Sequence, residues 1–218
     1  MALPTYLELV NDILIRLREP TVGTVQENIL SKLVGKLVND AKRQVEDSYS
    51  WNSLTSTLTA VTSANVFNYG LTGIGSRFKV IDVYNATTKT KMSNVTSSYM
   101  NEQFLLSTPS IGSPSEYNFN GLTAAGDTQV DVHPVPSAVE TLLFNLYVPQ
   151  DKLVADTDTL LAPEEPVILG AYARALVERG EDGGLNSSEA YGLFKSSLAD
   201  AIAIESSRYV EEETWEAV

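Results

Sequence analysis

VADTDTLLAPEEPVILGAYARALVERGED, residues 154–182, joins a β-patterned middle to a helical end. Asp156 and Asp158, interleaved with threonine, have the composition of a turn, because short Asp and Thr side chains bond nearby backbone. Pro163 and Pro166 then set a helix start, since a proline in a first turn has no hydrogen bond to lose. Behind them Val167, Ala171 and Ala175 fall in one row at helical spacing, and Ile168, Tyr172 and Leu176 in the next. Gly170, Ala171, Ala173 and Ala175 keep that helix thin enough for another to approach closely. Gly180, Gly183 and Gly184 end it near Arg179. Upstream lies a long β-patterned middle; downstream, a helical finish mirrors a helical beginning.

Outward from this stretch the two ends read alike. A first helix is predicted from Tyr6 to about Arg18, with Tyr6, Val10, Ile13, Leu14 and Leu17 on one face and Thr5 with Glu8 as a capping box. A second runs to about Tyr49, opened by Thr24 with Glu27 and striped by Ile29, Leu33, Val34, Leu37, Val38, Ala41 and Val45. Gly35 inside it costs up to about 1 kcal/mol relative to Ala, which marks a place of close packing. After the third helix, Asn186 with Glu189 opens a fourth, striped by Tyr191, Phe194, Leu198, Ala201 and Ile202 and reaching about Tyr209.

At Trp51 the period changes from helical to alternating. Leu54, Ser56, Leu58 and Ala60 open the pattern. Strands are expected at 66–69, 78–84, 89–92, 117–119, 129–133 and 140–148, and a short helix between Val95 and Leu106. The clearest is the last, with Leu142, Phe144, Leu146 and Val148 on one face. Gly70, Gly73 and Gly75 sit in a loop that reads as a hairpin connection rather than a phosphate loop, because a strand and not a helix follows. The expected fold is α+β: a discontinuous four-helix bundle from residues 1–50 and 162–210, a central, mostly antiparallel β insertion over 51–161, and an acidic tail at 211–218.

The 218 residues carry no cysteine, one histidine and a net charge of −13. The charge is lopsided: residues 1–149 hold 13 acids and 10 bases, net −3, and residues 150–218 hold 15 acids and 5 bases, net −10. Such a balance argues against holding nucleic acid through its phosphates, which takes clustered Lys and Arg. Without cysteine there is neither a disulfide framework nor a thiolate metal site. The start, MALPTYLELVND, lacks the basic and apolar regions of a signal peptide, and no apolar run is long enough to span a membrane. Sequons at Asn85, Asn94 and Asn186 are then expected to be chance.

Little catalytic chemistry is visible. His133, with Asp131 and a serine, imitates a hydrolase triad, but no nucleophile elbow accompanies it. Asp156 and Asp158 lack the further ligands of a calcium loop. No cofactor or metal is expected. The tail Glu211, Glu212, Glu213, Thr214, Trp215, Glu216, Ala217, Val218 is acidic, and Trp215 within it suits an anchor in a partner's pocket.

Three segments carry a resemblance: YLELVNDILIRLRE (residues 6–19), followed by a loop and a long helix into DSYSW (47–51); FKVIDVYNATTKTKM (78–92); and YVPQDKLVADTDTLLAPEEPVILGAYARALVERGED (147–182) before a last helix. The layout resembles the head-to-tail adaptor of short-tailed bacteriophages, the tail tubular protein A or head-completion family. The likeness spans most of the chain but not EEETWEAV. It implies a non-enzymatic virion part in the phage neck: a dodecameric ring under the portal, with DNA passing through unbound. The β part faces the tail nozzle or fibres, and a C-terminal segment docks on the portal, here Glu211, Glu212, Glu213, Trp215 and Val218. Gly170, Ala171 and Ala175 are expected in helix packing or subunit contact. Two other functions fit the residues: a different phage tail or glycan-binding β module, and a wall hydrolase using paired carboxylates.

Overall fold

Thr5 opens the first helix as its spacing predicts. Its side chain accepts from the Glu8 N–H (3.3 Å), and the Glu8 carboxylate accepts from the Thr5 N–H (2.8 Å). The computed structural model describes residues 3–106, 108–180 and 185–208. They form α1 (Tyr6–Arg16), α2 (Ile29–Ser48), a ten-strand β region, α3 (Ser97–Asn101), α4 (Glu164–Arg179) and α5 (Leu185–Ser206). The chain divides into two compact units: Met1–Leu54 with Pro149–Val218, and Thr55–Val148.

In the first unit, α4 packs against α5, α2 and α1, and α1 packs against α2. Leu9, Val10, Ile13, Val34, Val38, Ala41, Val45, Val167 and Ala171 are wholly buried in one apolar core, with Trp51, Leu153, Leu160 and Phe194. Each large side chain taken out of water there contributes about 1.5–3 kcal/mol. Residues 149–161 belong with the helices. Lys42, buried beside Glu46 (2.9 Å), donates to the carbonyls of Gln150 (2.6 Å) and Asp151 (3.0 Å).

The second helix corrects one expectation. It begins at Ile29, capped by Asn28 in a box with Ser31, not at Thr24. The Val25 N–H is held by the Asp156 carboxylate (3.0 Å), and its carbonyl accepts from the Ser31 hydroxyl (2.9 Å). That carbonyl is thus engaged where a helix begun at Thr24 would use it for Ile29. Glu27 turns back to the Gly23 N–H (2.7 Å). The fourth helix differs too: Asn186 lies inside α5 rather than ahead of it. Pro163 precedes α4 and Gly180 closes it in the left-handed conformation (φ 64°), a geometry glycine adopts without penalty.

The second unit holds two four-stranded sheets around one core. One has the order β1 (Thr55–Val61), β10 (Thr141–Tyr147), β3 (Lys79–Asn85), β4 (Thr90–Lys91). The other has the order β2 (Asn68–Leu71), β8 (Thr128–His133), β7 (Glu116–Leu122), β5 (Ser93–Asn94). β6 (Ile111–Gly112) pairs with β9 (Val135–Pro136). The long pairings are antiparallel, while β5–β7 and β6–β9 are parallel. Leu142, Phe144 and Leu146 alternate into the core as their period predicts, beside Val83, Leu71, Val130 and Val132. The ring of Tyr117 meets Phe144 edge-on across the core, 6.1 Å between centroids. Leu54 belongs to a 3₁₀ turn before β1. The helical pattern after Val95 becomes α3 and a single π turn, Glu102–Leu106.

The loop between Gly70 and Ser76 is not a hairpin. β2 pairs with β8 and β3 with β10, so it carries the chain from one sheet to the other. Its glycines serve that crossing: Gly73 and Gly75 have positive φ, the Gly73 N–H reaches Asp127 (3.3 Å), and Thr128 donates to the Gly75 carbonyl (2.7 Å).

Candidate functional site

The acidic turn ahead of α4 is a clasp. Its backbone holds the start of the chain: the Tyr6 N–H donates to the Asp158 carbonyl (2.8 Å), the Leu7 N–H to the Asp156 carbonyl (3.2 Å), and the Leu160 N–H to the Pro4 carbonyl (3.0 Å). The Asp156 carboxylate takes the Val25 N–H, and Asp158 accepts from the N–H groups of Val154 (2.7 Å) and Ala155 (2.8 Å). Those two backbone donors hold the Asp158 pKa below its ordinary value. Among the described residues no group of three or more His, Cys, Asp or Glu side chains is placed to hold a metal ion. The two carboxylates are used as backbone acceptors.

Behind the clasp, Gly170, Ala171 and Ala175 are buried. A methyl group on Gly170 would lie 3.1 Å from the Phe194 ring of α5 and 3.3 Å from the Ala41 methyl of α2. The glycine therefore sets how closely α4 meets both neighbours. Arg174 reaches back to the Gly170 carbonyl (2.9 Å) and to Gln44, and Arg179 pairs with Glu19 and the Leu17 carbonyl (3.1 Å). At the other end of α4, partial burial and the carboxylates of Asp12, Glu8 and Glu165 push the Glu164 pKa up.

In the β unit, His133 is buried between two partners. Its Nδ1 lies 2.9 Å from Glu116 Oε2 and its Nε2 lies 2.9 Å from the Ser110 hydroxyl. Asp131, the acid its sequence suggests, instead accepts from Asn68 (2.6 Å) and Asn120 (2.8 Å). Glu116 and Ser110 were not legible as partners, because they lie 17 and 23 residues away with no motif around them. Ser110 leads into β6 rather than a helix, and the array ties the segment before β6 to β7 and β8. Asn85 is fully buried, donating to Glu140 and to the Pro114 carbonyl (3.3 Å), so that sequon is structural.

The outer edges of β1 and β2 flank an open groove of about 260 Å³ lined by Leu58, Thr59, Ala60, Val61, Tyr69, Gly70, Leu71 and Thr72. From Trp51 to Ser76 the chain bears no charged residue. β1 thus presents an edge without the lysines or prolines that usually blunt one. Glu211, Glu212, Glu213, Trp215 and Val218 lie outside the described residues.

The family model for the SU10 adaptor protein matches residues 4–214. The chain belongs to that family. This adaptor is therefore a structural component of the phage virion and works in contact with other virion components. No curated protein matches it. The family is a structural one, and it turns attention from the buried His133 array to surfaces. Among the described residues no helix is long and apolar enough to cross a membrane.

Proposed function

We propose that this adaptor assembles as a ring of twelve copies that joins the portal to the tail and surrounds the DNA exit channel. The observation that carries the reading is the family match over residues 4–214. Charge supports it: the net −13, concentrated after residue 150, is repeated in every copy of a ring. A wall of that sign repels phosphate and lets DNA pass without being held. The helices of the first unit act as a four-helix bundle that meets neighbouring copies and the channel. The uncharged, Ser/Thr-rich edge of the β unit suits a wet contact with the tail nozzle or fibres. The C-terminal Glu211, Glu212, Glu213, Trp215 and Val218 dock on the portal, Trp215 as the anchor.

The test is reconstitution with the portal. Full-length chain mixed with portal rings at micromolar concentration should give a complex in which electron microscopy resolves one added ring. Removing residues 211–218 should leave the melting curve unchanged and weaken binding at least tenfold. A chain that never joins the portal, and forms no ring in virions, would sink the reading. Full binding by the truncated chain would remove only the tail from it.

A further inference from the structure

α5 is apolar on more than one side. Its inner row, Ala190, Phe194 and the half-buried Leu198, Ala201 and Ile202, faces the helical core. Flanking it is a second row, Glu189, Leu193, Ser196, Asp200 and Ile204, all exposed, with Leu193 at 60% and Ile204 at 55%. A helix with large apolar residues on its outer row is suited to burial on a second side. Gly192, next to that row, has open space around it, whereas Gly170 is closely surrounded by its own chain.

α2 carries a matching row. Opposite its buried stripe stand Ile29, Lys32, Lys36, Asp40, Arg43 and Asp47, all exposed, with Ile29 at 87%. α4 packs against both α2 and α5, and each leaves its outer row exposed. The two rows are different surfaces of one unit, as a head-to-tail contact requires.

The charges fix a register. Glu189 and Asp200 are eleven residues apart on α5, and Lys32 and Arg43 are eleven apart on α2, about 16 Å along either helix. Laid antiparallel, Glu189 faces Arg43, Asp200 faces Lys32, and Ile204 meets Ile29. Laid parallel, Glu189 would face Lys32 and Asp200 would face Arg43, which would set Ile204 against Asp47. We propose that the outer row of α5 docks antiparallel on the outer row of α2 in a neighbouring copy of this chain. The contact rests on the ring reading above and names the surfaces that would close the ring.

The absence of cysteine allows a direct test. Phage particles are assembled with the Lys32→Cys/Asp200→Cys chain and treated with a short bismaleimide. The expected result is a ladder of covalent multimers on a denaturing gel, lost when either cysteine is omitted. In parallel, Asp200→Lys should cut ring assembly at least tenfold without changing the monomer's circular dichroism, and adding Lys32→Asp should restore it. Particles in which microscopy shows the ring but the gel shows only monomers or dimers overturn this contact and leave the ring intact. Particles without a ring of this chain overturn the ring reading itself.

Discussion

Gly35 and Gly192 are both helical glycines, yet a methyl group has opposite consequences at the two. On Gly35 it would meet the Tyr6 hydroxyl and lie 2.9 Å from Val25 Cγ1. Tyr6 is itself buried and within 3.4 Å of the Asn39 amide, so it has little room to withdraw. Overpacking of this kind costs about 1–3 kcal/mol, against a helix-propensity gain of at most about 1 kcal/mol. Gly35→Ala should therefore lower stability in urea unfolding. Gly192→Ala meets nothing within 4 Å and should raise stability by about 0.5–1 kcal/mol. The sequence marks Gly35 as a cost that packing must explain. Which side chains do so was not legible, because Tyr6 and Val25 reach it through the fold. Asp158 offers a titration test. Its pKa is depressed in the folded chain, so its stabilisation is present above the ordinary value of 3.8 and is lost as pH falls below it. Asp158→Ala should flatten that part of the acid limb in a series of urea melts from pH 2 to 6.

At the scale of elements, periodicity located what neighbours could not. The strand 141–147 was legible because one face is wholly apolar, and α4 because Pro163 and Gly180 bracket it. The start of α2 was not. Thr24 with Glu27 and Asn28 with Ser31 both have capping spacing, and the choice is made by Asp156, 131 residues from Val25. The crossing loop at Gly70 was misread for a related reason. Local turn chemistry is the same whether the next strand pairs with the last or joins another sheet, and here that depends on β8 and β10. The corrected boundary makes a prediction. Asn28→Ala should cost about 0.5–2 kcal/mol and Thr24→Ala less, because only the first removes a helix cap. Equal losses in thermal or urea unfolding would put the helix start back at Thr24.

For the whole molecule, composition spoke to class and charge, while surfaces needed the fold. The acidic skew after residue 150 and the lack of cysteine were visible at once. The exposed outer rows of α2 and α5 appear only when each helix's buried face is known. The arrangement also says how the chain is built. Thr55 and Tyr147 are paired neighbours in β1 and β10, so their Cα atoms stand about 4.5–5.5 Å apart. The β unit thus leaves and returns at one place. The helical core draws Leu153, Leu160 and Ala162 from the far side of that insertion, and no residue of 55–147 belongs to it. Replacing residues 55–147 with a short Gly/Ser linker should give a soluble, helical chain that melts cooperatively, because closing so short a gap costs little chain entropy. The measurement is far-UV circular dichroism followed through a thermal melt. A chain that loses its helical signal, or unfolds without a transition, would show that the β unit supplies stability the helices lack.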